Sequence, residues 1–164
     1  MRSVTKRVAI FGLCTAVAMV LAYVELLLPP VFVAVPGIKL GLPNIVTVFC
    51  LYRFGWKEAA SVSFVRIVTV SLLFSPATLP YSLAGGFLSL LGMILLKKTD
   101  LLSTTGVSVA GGVLHNAGQI LMAMLIMSTA GLGYYFIILA VTGTISGVFV
   151  GLCGGFAVRR VRIR

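Results

Sequence analysis

Six apolar stretches constrain this chain more than any other feature. They lie at residues 8–28, 40–54, 57–74, 80–96, 106–129 and 132–158. A helix rises about 1.5 Å per residue, so roughly 20 apolar residues cross the hydrocarbon core of a bilayer. Charged residues make up only 10% of the 164, against about 25% in a soluble domain. The mean hydropathy is +1.16. A soluble protein of this size has too much surface to cover with so few charges. That excludes a soluble enzyme, a disordered tail and a disulfide scaffold. The expected fold is all-α: one integral membrane domain over residues 1–164, a bundle of six transmembrane helices in contact with membrane lipids. Arg2, Lys6 and Arg7 precede the first stretch as in a signal peptide. The stretch is too long for one, lacks a small-residue cleavage site and is followed by five more.

The charges orient the bundle. There are 13 Lys and Arg against three acids, Glu25, Glu58 and Asp100, a net +10. If six spans alternate, Arg2, Lys6, Arg7, Arg53, Lys57, Lys97, Lys98, Arg159, Arg160, Arg162 and Arg164 fall on one face. The positive-inside rule makes that face cytoplasmic, with both termini inside. The basic excess is therefore topological, and no nucleic-acid partner is expected. Trp56 near the inner boundary and Tyr134 and Tyr135 near the outer one suit interfacial anchoring. Cys14, Cys50 and Cys153 sit in apolar runs without metal spacing and read as small hydrophobes.

The first outer segment, residues 29–43, holds Pro29, Pro30, Pro36, Gly37, Gly41 and Pro43 around an apolar strip. That density of proline and glycine opposes a regular helix. The segment is a plain connector or a lid-like, partly re-entrant one, and the shortness of the next span favours the lid.

Small residues mark the packing faces. Gly143, Gly147, Gly151 and Gly155 recur at four-residue spacing and make a continuous stripe for helix packing. Gly12 and Ala16, and Ala18 and Ala22, are small-xxx-small pairs on the first span. They pack within the bundle or form an interface to a partner. Residues 82–88 faintly echo 108–114 in opposite membrane directions, too weakly to carry an argument beside so many small residues.

Polar groups at membrane depth are the sharpest functional signal. Arg66 lies near the middle of its span, where an arginine costs about 2.5–3.5 kcal/mol to insert. It needs an acidic partner or a wet cavity. Acids are scarce: Glu58 is two turns away, Glu25 is near the outer end of span one, and Asp100 is in a cytoplasmic loop. An anionic ligand therefore competes with a structural ion pair. On the fifth span, Ser108, Gly111, Gly112, His115, Asn116, Gln119 and Met122 fall in one sector of the helix. Three hydrogen-bonding side chains there need interhelical bonds or a binding pocket. Lys39, the lone outer cation, precedes Gly41 and Asn44. Lys39, Arg66 and the His115 stripe would line one outward-opening cavity suited to a carboxylate or phosphate on an apolar body. One histidine and few carboxylates give no metal site. No phosphate-binding GxxxxGK[ST] loop, GxSxG elbow or carboxylate pair is present. The chain is expected to be no enzyme and to need no cofactor.

Several stretches also carry a family resemblance. They are Pro36-Gly-Ile-Lys39-Leu-Gly41-Leu-Pro-Asn44-Ile, Tyr52-Arg-Phe-Gly55-Trp-Lys57-Glu58-Ala, Tyr81-Ser82-Leu-Ala-Gly85-Gly86, Gly106-Val-Ser108-Val and His115-Asn116-Ala-Gly118-Gln119. Together they resemble the Gx transporter family, also labelled heptaprenyl diphosphate synthase component I. Pro43 stands where that family often has alanine. The family is similar in turn to substrate-binding S components of energy-coupling factor (ECF) transporters. Those are six-helix proteins with both termini inside that bind small molecules from outside. The resemblance implies a protein of the bacterial cytoplasmic membrane. It would take up a small anionic or amphipathic molecule, powered by a transmembrane coupling subunit and ATPases. Ala18 and Ala22, or Gly12 and Ala16, resemble the contact to that coupling subunit. Ile38-Lys39-Leu-Gly41 resembles a stretch that ends in an acid, which Gly41 replaces here. The other label implies a non-catalytic membrane subunit beside a soluble prenyl diphosphate synthase. A self-powered secondary carrier is the third reading. The candidate binding residues are Lys39, Asn44, Arg66, Tyr81, Ser82, His115, Asn116 and Gln119.

Overall fold

The computed structural model describes residues 2–28 and 40–161. It contains α1 (Arg2–Leu27), α2 (Asn44–Arg53), α3 (Trp56–Phe74), α4 (Leu79–Lys98), α5 (Thr104–Met127) and α6 (Phe136–Arg160). Short 3-10 turns at Pro76–Thr78 and Ala130–Tyr135 lead into α4 and α6. No strand occurs among the described residues. The helix ends follow local chemistry. Gly55, at φ 120°, takes a backbone conformation closed to other residues and lets α2 reverse into α3. Pro80 sits in the first turn of α4, where its missing N–H costs nothing. The Ser103 hydroxyl caps α5 by accepting from the Gly106 amide at 3.2 Å.

The helices match the expected stretches with shifted ends. Residues 40–43 lie ahead of α2 and outside it, and 132–135 belong to a 3-10 turn. Four segments are long and apolar enough to cross a membrane: Arg7–Leu27, Pro76–Lys98, Thr104–Met127 and Ala130–Arg160. The other two helices differ for physical reasons. Ten residues make α2 about 15 Å long, half a hydrocarbon core. The 19 residues of α3 include Lys57, Glu58 and Arg66.

Burial explains the short helix. Val46, Thr47, Val48, Phe49, Cys50 and Leu51 of α2 are all buried. This helix is a central plug rather than a wall. It packs on α6, α3 and α1, while α3, α4, α5 and α6 follow one another around it. Large apolar side chains face outward instead, among them Leu13, Phe64, Phe87, Leu125 and Ile137. An outward apolar face is the arrangement hydrocarbon solvent favours.

Glycine sets the closest contacts. A Cβ on Gly143 would lie 2.9 Å from the Gly112 carbonyl oxygen, and one on Gly147 2.6 Å from Val109 Cα. Gly151 meets Thr105 in the same way at 2.7 Å. The stripe on α6 therefore lies against α5. Gly118 of α5 lies on Ala84 and Gly85 of α4. One face of α5 meets α4 and the adjacent face meets α6.

The small residues of α1 divide between two faces. Gly12 and Ala16 face outward, and nothing lies within 4 Å of a Cβ built on Gly12. Ala18 and Ala22 are 1% and 6% exposed within the bundle. The expectation that all four present a partner surface is corrected for Ala18 and Ala22. Those two lie about 240° and 280° around the helix from Gly12 once full turns are removed, at roughly 100° per residue.

The basic residues collect at one end. Arg7 pairs with Glu58 at 3.1 Å. Arg53 donates to the Val161 carbonyl at 3.1 Å, and Lys97 to the Leu51 carbonyl at 2.6 Å. Lys97 also lies over the Tyr52 ring, 4.8 Å from its centroid. These bonds tie together the ends of α1, α2, α3, α4 and α6.

Candidate functional site

At the other end, every helix contributes to one polar recess. A cavity of about 70 Å³ is lined by Glu25 of α1, Asn44 of α2, Arg66 of α3, Ser82 of α4, four residues of α5 and Ser146 of α6. The α5 residues are Gly112, His115, Asn116 and Gln119, and Gly41 and Pro43 complete the wall. A second space of about 60 Å³ adjoins it and shares Glu25, Pro43, Arg66 and Ser82. Its far side is Val70, Ser71 and Phe74 of α3.

Arg66 is the centre of the electrostatics. Its Nη2 donates to Asn44 Oδ1 at 3.2 Å. The Glu25 carboxylate attracts it through space. Its Nε is buried and has no hydrogen-bond partner among the described residues. A buried donor without an acceptor costs about 1–3 kcal/mol, more when charged. An incoming anion would supply the acceptor. Glu58, the acid on α3 itself, is held by Arg7 at the basic end and does not serve Arg66.

Glu25 also shapes the entry to α2. Its Oε1 accepts from the Gly41 amide. Gly41 has φ +73°, a left-handed conformation that strains other residues. The acid at the end of α1 thus fixes the backbone that leads to Asn44.

Six of the eight expected binding residues meet at this cavity: Asn44, Arg66, Ser82, His115, Asn116 and Gln119. Two of those also hold the bundle together. Asn116 Nδ2 donates to the Leu139 carbonyl of α6 at 2.6 Å, and Asn44 is the Arg66 acceptor. Tyr81 is half-buried and lies outside the lining of both spaces, because the next residue on the helix, Ser82, takes the inward position. That corrects its place in the expected set. Lys39 and most of the segment 29–43 lie outside the described residues. Glu25 and Ser146 were absent from the expected set. Glu25 carried a signal as an acid at membrane depth. Ser146 was masked by the glycine stripe, whose Gly147 lies beside it.

The recess combines one guanidinium, one carboxylate, an imidazole and several amides in an apolar bundle. Such a set has the donors and acceptors for charge-assisted hydrogen bonds to a polar group. A family model described as heptaprenyl diphosphate synthase component I matches residues 14–157. No curated protein and no solved structure matches the chain.

Proposed function

The chain belongs to the heptaprenyl diphosphate synthase component I family. From that premise, we propose that it is a non-catalytic membrane component associated with heptaprenyl diphosphate synthesis. Its Arg66 cavity would hold a small anionic or amphipathic molecule. The observation that carries this reading is the convergence of polar side chains from six helices on a buried arginine with an unsatisfied donor. With three acids in the chain, the catalytic work falls to a partner. A soluble prenyl diphosphate synthase subunit is the partner the family description suggests.

A second reading is favoured by the position of the cavity. It lies at the end opposite Arg7, Arg53, Lys57 and Lys97. If the six helices alternate in direction through the membrane and the basic end faces the cytoplasm, the cavity opens outward. A binding site reached from outside suits an uptake subunit powered by a coupling protein and ATPases. In both readings His115 and Gln119 orient polar atoms of the ligand, and Gly12 and Ala16 face a neighbouring membrane subunit.

Affinity purification from the native membrane separates the two. A prenyl diphosphate synthase in the eluate supports the first reading, and a coupling subunit with ATPases supports the second. Native mass spectrometry of the purified protein identifies any retained molecule.

A further inference from the structure

A groove on the membrane face separates α3 from α4. Ala60, Ser63, Phe64 and Ile67 of α3 face Leu83, Gly86, Phe87 and Leu90 of α4 across a groove of about 330 Å³. Both sets have the i, i+3, i+4, i+7 spacing of a single helix face. Two such faces normally close on each other by interdigitation. Here they leave a groove, and α3 packs on α4 far less extensively than α5 packs on α4 or α6. Its walls are almost wholly apolar, and Phe64 and Phe87 are exposed at its rim.

Ile67 joins this groove to the Arg66 side of the molecule. It lines the groove and also the space that holds Arg66, Glu25 and Ser82. It is 5% exposed. A Cβ on Gly86 would meet its Cδ1 at 2.5 Å, so the absence of a side chain at Gly86 gives Ile67 its place. The Ile67 side chain is thus the wall that the cationic recess and the apolar groove on the membrane face have in common.

We infer that the site takes a single-chain amphipathic anion, with its head at Arg66 and its tail in the α3–α4 seam past Ile67. The inference deepens the cavity reading above and rests on it. A cavity of about 70 Å³ holds a polar head and little more. Arg66 presents a charge and a buried unsatisfied donor in the space that shares Ile67 with the seam. From Ala60 to Ile67 the groove runs about 10 Å along α3. A ligand that keeps its tail in apolar surroundings while its head enters the recess loses no hydrophobic stabilisation on the way in. Such a ligand enters sideways from the bilayer.

The test uses the full chain in nanodiscs with two probes, butyl phosphate and dodecyl phosphate. Both should bind, and Arg66→Ala should weaken both. Gly86→Leu drives Ile67 across the seam. It should raise the Kd of dodecyl phosphate about tenfold or more and leave butyl phosphate within about twofold. A dodecyl phosphate with a diazirine at its tail end, photolysed on the unmutated protein, should label Ala60, Phe64, Phe87 or Leu90. That labelling should vanish with Arg66→Ala. Seam labelling that persists in Arg66→Ala means an ordinary membrane lipid chain lies there, and overturns the inference. Labelling at other helix pairs, or dodecyl phosphate binding indifferent to Gly86→Leu, also overturns it. In those cases, retained butyl phosphate binding that depends on Arg66 leaves the cavity reading standing. If neither phosphate binds, both fall together.

Discussion

Arg66 Nη2 on α3 donates to Asn44 Oδ1 on the first turn of α2, 3.2 Å away. The bond joins the central plug to the wall helix that carries the buried charge. It holds the guanidinium by one corner and leaves Nε to be satisfied by something else. A hydrogen bond to a charged group contributes about 1.5–3 kcal/mol. Removing the arginine should therefore weaken an anionic ligand by about tenfold or more. Arg66→Lys should recover little of this, because an ammonium cannot present the same planar fork. Calorimetric titration of butyl phosphate into the three proteins measures it. Equal affinities would remove Arg66 from the site.

The α5–α6 contact depends on the absence of side chains. Gly147→Val would drive a Cβ into Val109 Cα, since a Cβ alone already approaches to 2.6 Å. The backbone there has nowhere to give. Overpacking of this kind costs about 1–3 kcal/mol. The expected result is a clear fall in Tm in detergent, with a parallel fall for Gly151→Val.

The divided small residues of α1 give a paired prediction. Ala18→Leu fills a position that is 1% exposed and should lower Tm by the same kind of overpacking, about 1–3 kcal/mol. A Cβ on Gly12 meets nothing within 4 Å, so Gly12→Leu should leave the unfolding free energy of the isolated chain within about 0.5 kcal/mol of the original and its Tm nearly unchanged. If α1 faces a partner subunit through Gly12 and Ala16, Gly12→Leu should instead lower the yield of partner in affinity purification. A Tm loss from Gly12→Leu in the isolated chain would contradict the outward placement.

Topology is testable by labelling. The Thr99 turn lies at the basic end and Gly131 at the cavity end. In a background with the three native cysteines replaced, Gly131→Cys should react with a membrane-impermeant maleimide in intact cells. Thr99→Cys should react only after lysis. The reverse pattern would turn the cavity toward the cytoplasm and remove the observation that favours uptake.

The Arg7–Glu58 pair at the basic end is exposed on the arginine side, 69% against 17%. Exposed pairs contribute about 0–1 kcal/mol. Glu58→Gln should therefore lower Tm only slightly, and less in high salt. A large loss would show that the pair holds α1 to α3.

Much of this molecule was legible in the chain. Six apolar stretches became six helices, because hydropathy and length are local quantities that any solvent of low polarity reads the same way. The polar stripe His115, Asn116 and Gln119 reached the cavity, because helical periodicity places it on one face whatever that face meets. The glycine stripe of α6 was readable for the same reason, though its partner helix was not. Arg66 announced itself by the cost of its burial.

The rest needed the third dimension. Periodicity says which residues share a face and is silent on which helix lies opposite. So Glu25 and Ser146, on helices distant in sequence, entered the cavity only when the bundle closed. Tyr81 fell outside it by one position in helical phase. The short α2 looked like a weak membrane span, but its burial on every side makes it the core. Ala18 and Gly12 share a composition signal and were separated only by the surfaces each one meets. Sequence determined the elements and their polar faces, because those follow from local periodicity and solvent. Tertiary packing alone decided which faces meet, and so where the buried Arg66 finds Asn44, Glu25 and, past Ile67, the seam.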